Sequence, residues 1–190
     1  MTDDRARLRD LLVERSVRLG DFTLASGARS DYYVDARRTT MSAEGQALVG
    51  RVALAALRES GLEATHVGGL TMGADPIAYA IAHRSFLNGG PLDAFSVRKQ
   101  VKEHGTGQRI EGGLPKGARC VIVEDAMTTG GSTLKAIDAV LEYGADVIGV
   151  LTLVDRSEDA AELFGSRGLP LIGLYTGSEL LDAARAADRS

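Results

Sequence analysis

With a single cysteine in 190 residues, no intrachain disulfide is possible, so no disulfide framework holds this fold. Cys120 stands just before a β-branched run and reads as a buried, inert thiol. Positive charge is not in excess either: 22 Lys and Arg against 26 Asp and Glu leave a net charge of −4. That balance argues against a dedicated nucleic-acid or membrane-surface binder. No apolar run nears the length of a membrane span, and the opening Met-Thr-Asp-Asp-Arg-Ala-Arg lacks the apolar core of a signal peptide. A cytoplasmic protein is therefore expected. Internal repeats and low-complexity tracts are absent from the sequence. What remains is ordinary for a globular chain, with 44% apolar and 25% charged residues. The length suits one α/β domain over residues 1–190.

One stretch organises the rest. Val121-Ile122-Val123 has the composition of a buried strand. Glu124-Asp125-Ala126-Met127 follows, then the turn Thr128-Thr129-Gly130-Gly131, then a run from Ser132 with helical apolar spacing. A strand, a Gly-rich turn and a helix N-terminus form a phosphate cradle, because unpaired first-turn N–H groups and the positive end of the helix dipole face the anion. Thr128, Thr129 and Ser132 add hydroxyl donors. The Gly-Lys-Ser/Thr of a Walker A loop is absent, as is the Gly-x-Gly-x-x-Gly dinucleotide fingerprint. Carboxylates repel phosphate, so Glu124 and Asp125 should face ribose hydroxyls, or secondarily a divalent metal. A monophosphate on a ribose fits both halves of the stretch. The plainer alternative is a strand–turn–helix capped by Thr or Ser.

Around this stretch the chain alternates. A helix is predicted from about Asp4 to Arg18, then two short strands around a Ser-Gly turn between Phe22 and Asp35. A second helix runs from N-cap Ser42 to Glu59 and ends at Gly61. Strands follow near Thr65–Gly69, Ala94–Val97, Arg119–Glu124, Val147–Val154 and Leu171–Tyr175. Helices separate most of them, starting near Pro76 and at Ser132–Tyr143, with a short helix before the last strand and a closing one after it. Such alternation predicts a mostly parallel sheet covered by helices on both faces. From Arg98 to Gly117 there is no apolar periodicity, and the run begins Arg98-Lys99-Gln100-Val101-Lys102-Glu103-His104-Gly105. A structureless stretch of that length inside a compact domain reads as a working lid. Its cations would lie at the carboxyl ends of strands, where ligands gather in open parallel sheets. Taken alone, a basic loop is as readily a solvated one.

The Val121–Thr133 stretch resembles the phosphoribosyl-diphosphate (PRPP) signature of the type I phosphoribosyltransferases. The resemblance implies that fold, with a small N-terminal hood over about residues 1–40. It also implies that the acid pair holds the ribose hydroxyls while Thr128–Ser132 hold the 5′-phosphate. Arg98-Lys99-x-x-Lys102-x-His104-Gly105 is similar to the flexible catalytic loop of the orotate phosphoribosyltransferases, here about residues 98–117. Val154-Asp155-Arg156 matches the strand end where that family pairs an Arg with the orotate carboxylate, helped by the residue corresponding to Thr128. Phe22-Thr23-Leu24-x-Ser26-Gly27-x-x-Ser30-x-Tyr32 matches the family's hood.

The resemblance thus implies transfer of phosphoribose from PRPP to orotate, giving orotidine 5′-monophosphate and diphosphate. PRPP would be held by Arg98, Lys99, Lys102, His104, Glu124, Asp125, Ala126, Met127, Thr128, Thr129, Gly130, Gly131 and Ser132, and orotate by Thr128 and Arg156. Lys102, His104 and Asp125 are the expected catalytic residues. Mg²⁺ would travel on the substrate with few protein ligands, and a homodimer is implied. A phosphoribosyltransferase for another base and a non-catalytic PRPP-binding regulator are the rival readings. Arg156 itself has a plainer alternative, pairing with Glu158 or Asp159.

Three positions depart from the family pattern. Ala25 stands where many members have a hood lysine, Met72 where many have a lysine in the turn after the second core strand, and Gln100 where an acid often follows Arg-Lys. In the family that turn also contains a non-proline cis peptide. Two missing cations should weaken diphosphate binding unless Arg29, Arg37 or Arg38 compensates. The sequence cannot place these three, and they are left out of the expected site.

Overall fold

Helix α1 (Thr2–Ser16) leads directly into strand β1 (Val17–Thr23), which pairs antiparallel with β2 (Arg29–Val34) as a separate two-stranded sheet. The computed structural model describes residues 2–23, 29–100, 109–157 and 159–189. Ala25 therefore lies outside the described residues, as do Lys102 and His104 of the expected lid. On α1 the predicted spacing holds, with Leu8, Leu11 and Leu12 fully buried. The helix stops two residues earlier than expected because Val17 already pairs with Val34.

After a single turn, α2 (Arg37–Thr40), helix α3 (Ala43–Glu59) begins behind Ser42, whose Oγ accepts the Gly45 N–H at 3.1 Å. A side-chain cap of this kind stabilises a helix by about 1 kcal/mol. The alternation then runs β3 (His66–Leu70), α4 (Ala74–Leu87), β4 (Asp93–Val97), β5 (Ile110–Glu111), β6 (Arg119–Met127), α5 (Gly131–Tyr143), β7 (Asp146–Asp155), α6 (Ala160–Gly165), β8 (Leu171–Thr176) and α7 (Gly177–Asp188). Helix α4 starts two residues before Pro76. Proline is tolerated there because first-turn N–H groups have no intrahelical partner.

The main sheet has the order β5-β4-β3-β6-β7-β8, with every neighbouring pair parallel except β4–β5. Its two faces bury different clusters. Val121 and Val123 of β6 join Leu54, Ile77 and Leu180 under α1, α3, α4 and α7. Cys120 and Ile122 join Phe95, Ile137 and Phe164 under α5 and α6. Alternation along one central strand, with both faces covered, is what a buried parallel sheet requires. Burial pushes the Cys120 thiol up to about 12, so it stays protonated at neutral pH. His66 is buried beside Thr65, and His83 is exposed on α4.

The expectation of a structureless run from Arg98 to Gly117 needs correction over residues 109–117. Ile110 pairs with Val97 and Glu111 with Ser96, and the Arg98 N–H donates to the Arg109 carbonyl at 2.7 Å. Ile110 and Leu114 are buried against Phe95 and Val97. Two apolar residues covering a sheet edge are too few to register as a period in sequence.

Candidate active site

Strands β3 and β6 are neighbours, but the chain leaves them in opposite directions. From β3 it crosses through α4 outward to β4, and from β6 through α5 to β7. A crevice must open between the two strand ends where the winding reverses, and ligands of open α/β sheets bind there. A cavity of about 690 Å³ occupies this place, lined among others by Thr71, Gly73, Glu124, Asp125, Thr128 and Arg156. A groove of about 560 Å³ between α1, α3 and α4 lies away from the strand ends, and one side is closed by the Arg51–Asp4 ion pair.

The two acids leave opposite faces of β6, as successive strand residues do, yet stay in contact, the Asp125 N–H donating to Glu124 Oε1 at 3.3 Å. Glu124 turns toward α5, where Thr133 Oγ1 donates to its Oε2 at 3.1 Å, and it is only 8% exposed. Burial, reinforced by the adjacent Asp125, pushes the Glu124 carboxyl up to about 8. Asp125 instead lies against the turn after β3. A Cβ on Gly73 would meet Asp125 Oδ1 at 2.5 Å, so only glycine leaves the carboxylate this room. Both acids line the cavity.

The turn after β6 takes the expected form. Gly130 has a φ of 72°, a left-handed conformation that favours glycine, and caps α5 without a side-chain hydrogen bond. The first intrahelical bond runs from the Leu134 N–H to the Gly130 carbonyl, which leaves the N–H groups of the first turn outside the helical ladder. Exposed Thr128, Thr129 and Ser132 line the cavity beside them, with Ala126. Met127 differs from its neighbours: its side chain is buried in the α5 cluster, and its carbonyl accepts the Arg156 N–H at 2.8 Å.

Arg156 reaches across the cavity to the two-stranded sheet rather than to Asp159. Its Nη2 donates to Ser30 Oγ at 3.3 Å and to the Tyr32 carbonyl at 3.4 Å, and its Cζ lies 4.3 Å from the Tyr32 ring centroid. Arg156 Nε is buried without a hydrogen-bond partner among the described residues. An orphaned buried donor of this kind is costly unless an acceptor meets it. Of the loop cations that are described, Lys99 lines the cavity. Arg98 does not, since its Nε donates to Glu111 Oε1 at 2.6 Å. The Thr71–Met72 peptide is cis, matching the expectation carried by the resemblance, and Met72 is 57% exposed.

Sequence reasoning did not single out Thr133, which holds Glu124, or Asp35 and Tyr33, which line the cavity from the α2 side; Arg37, offered by the sequence only as one of three replacement cations, lines it with them. Gly177 was also missed. A Cβ there would fall 2.9 Å from Arg156 Cγ and closer still to Tyr32 Oη. Thr133 could have been found as the first helical residue pointing back at the strand end; the others are brought in only by tertiary packing.

Residues 43–164 match the phosphoribosyl transferase domain. The chain is 49% identical over 183 residues to the orotate phosphoribosyltransferase of Rhodopseudomonas palustris, covering 94% of this chain and 96% of that one. It is 47% identical over 181 residues to the orotate phosphoribosyltransferase of Streptomyces coelicolor, covering 95% and 98%. Among solved structures, orotate phosphoribosyltransferase of Mycobacterium tuberculosis in complex with Fe(III) dicitrate is similar with a TM-score of 0.81. The identity is 44%, over 93% of this chain and 98% of that one. The same enzyme in complex with PRPP gives a TM-score of 0.78 at 41% identity, over 93% and 98%. Cleft, cradle and relatives agree: the chain belongs to the orotate phosphoribosyltransferases, within the type I phosphoribosyltransferase family.

Proposed function

We propose that this protein transfers the 5-phosphoribosyl group of PRPP to orotate, giving orotidine 5′-monophosphate and diphosphate for pyrimidine synthesis. The observation that carries this reading is the meeting, in one cleft, of the α5 N-terminus, the acid pair and Arg156. The 5′-phosphate takes the N–H groups of the α5 first turn and the hydroxyls of Thr128, Thr129 and Ser132. Asp125, and beneath it Glu124, face the ribose hydroxyls. The orotate carboxylate meets Arg156, whose buried Nε has no acceptor among the described residues; a charge-assisted pair of this kind contributes about 1.5–3 kcal/mol. A neutral purine offers no such anion, which favours orotate over another base.

Bond breaking at the anomeric carbon builds positive charge on the sugar and negative charge on the departing diphosphate. Positioning and electrostatics then carry the rate, since little covalent chemistry falls to the protein. Asp125 stands near the positive sugar, and Lys99 near the leaving group. Lys102 and His104, outside the described residues, are proposed to join them as the loop closes, His104 donating a proton to the diphosphate. Among the described residues no three His, Cys, Asp or Glu side chains gather as a metal cage. The oxygens of Asp35 and Asp125 nevertheless suit a hard cation carried in on substrate oxygens. Mg²⁺ would there neutralise part of the diphosphate charge.

No helix among the described residues is long and apolar enough to cross a membrane; a cytoplasmic location is proposed from the sequence reading. A homodimer is proposed from α4. Tyr79, Phe86 and Leu87 are exposed along it, Phe86 at 73%, and Met72 is exposed just ahead of the helix, at the cleft. A second copy seated on this apolar stripe would lie beside the active site. Sedimentation at micromolar concentration should give twice the chain mass, and a monomer would remove the dimer. The activity itself is tested by the fall of orotate's ultraviolet absorbance on adding enzyme, PRPP and Mg²⁺. Turnover of a purine but not orotate would overturn the assignment.

A further inference from the structure

The turn Thr71–Gly73 carries no cation: its middle residue is Met72. A substrate with a diphosphate must still be neutralised in a cleft that already holds Asp125 and Asp35. Of the three arginines that the sequence offers as replacements, the fold separates one. Arg29 borders a different groove, within the two-stranded sheet, beside Asp21 and Asp31. Arg38 is exposed on α2 and is not part of the cavity wall.

Arg37 alone of the three lines the catalytic cavity, in company with Met72, Gly73 and Lys99. Asp35 accepts from its Nε at 2.9 Å, an exposed pair. Such pairs contribute little, about 0–1 kcal/mol, so holding Asp35 does not commit the group. A guanidinium carries four further N–H donors beyond Nε, in a planar fork suited to phosphate oxygens. Asp35, and less strongly Asp125, keep the Arg37 guanidinium's pKa raised, and Arg37 and Asp125 line the same cavity.

We propose that Arg37 binds the diphosphate of PRPP and supplies the positive charge missing from the turn after β3. The inference rests on the proposed PRPP site and adds to it a residue from the α2 side. Binding of PRPP, of diphosphate with Mg²⁺ and of ribose 5-phosphate is to be measured calorimetrically for wild type, R37M and the double variant R37M/M72K. In R37M, PRPP and diphosphate should weaken at least tenfold while ribose 5-phosphate changes less than twofold, which also shows that the variant is folded. Lysine placed at the turn in R37M/M72K should recover at least threefold of the lost diphosphate affinity. R37K, which keeps the charge, serves if R37M does not fold, and should lose less than threefold. Diphosphate binding within twofold of wild type in R37M would overturn the assignment, as would equal losses for diphosphate and ribose 5-phosphate. Wild-type protein that binds PRPP while either of these holds leaves the functional reading standing. Wild-type protein that binds neither PRPP nor diphosphate overturns both.

Discussion

The guanidinium of Arg156 lies on the ring of Tyr32, Cζ 4.3 Å from its centroid, and so joins the end of β7 to the small two-stranded sheet. The contact orients the cation proposed to meet the orotate carboxylate. Tyr32→Ala removes a cation–π contact worth about 0.5–2 kcal/mol, which should lower kcat/KM for orotate by about 2- to 30-fold. The KM for PRPP should stay within twofold of wild type in steady-state assays. An equal rise in both KM values would show that Tyr32 merely supports the fold.

Glu124 gives the stability a pH dependence of definite sign. Its carboxyl titrates near 8 in the folded chain, above its ordinary value of 4.5, because it is buried beside Asp125. Between these values the folded state holds a proton that the unfolded state has released. The stabilisation is therefore complete below about pH 4.5 and is lost as pH rises through about 8. Glu124→Gln is always neutral and can still accept from Thr133. Thermal unfolding at pH 5 should be close to wild type, whereas at pH 8.5 the variant should melt higher, by about 2–4 °C per kcal/mol recovered. Parallel curves for the two proteins across this range would refute a buried, protonated Glu124.

Gly73 sits against the Asp125 carboxylate, which a new methyl group would meet at 2.5 Å. Its backbone, with φ −63° and ψ −40°, is helical, so alanine brings no conformational strain. Gly73→Ala should therefore displace Asp125 without unfolding the chain. Because misplacement of about 1 Å can reduce a rate 100-fold, kcat/KM for PRPP is expected to fall by about 10- to 100-fold at unchanged melting temperature. Activity within twofold of wild type would show that Asp125 tolerates the shift.

The sequence by itself determined the alternation of the parallel strands with the helices between them and the Gly-rich turn before α5. Both are written locally, in β-branched runs, helical spacing and glycines that a left-handed residue such as Gly130 requires. Even the unlike environments of Glu124 and Asp125 follow from alternation along one strand. Tertiary structure decided what local pattern cannot encode. It set β6 beside β3 so that a cleft opens where the winding reverses, and it brought Arg156 onto Tyr32, 124 residues away in the chain. It also sent Arg98 to Glu111, and from three indistinguishable arginines it turned Arg37 alone toward the cavity. Side chains that meet across such distances share no period or spacing, so their partnership exists only once the sheet has formed.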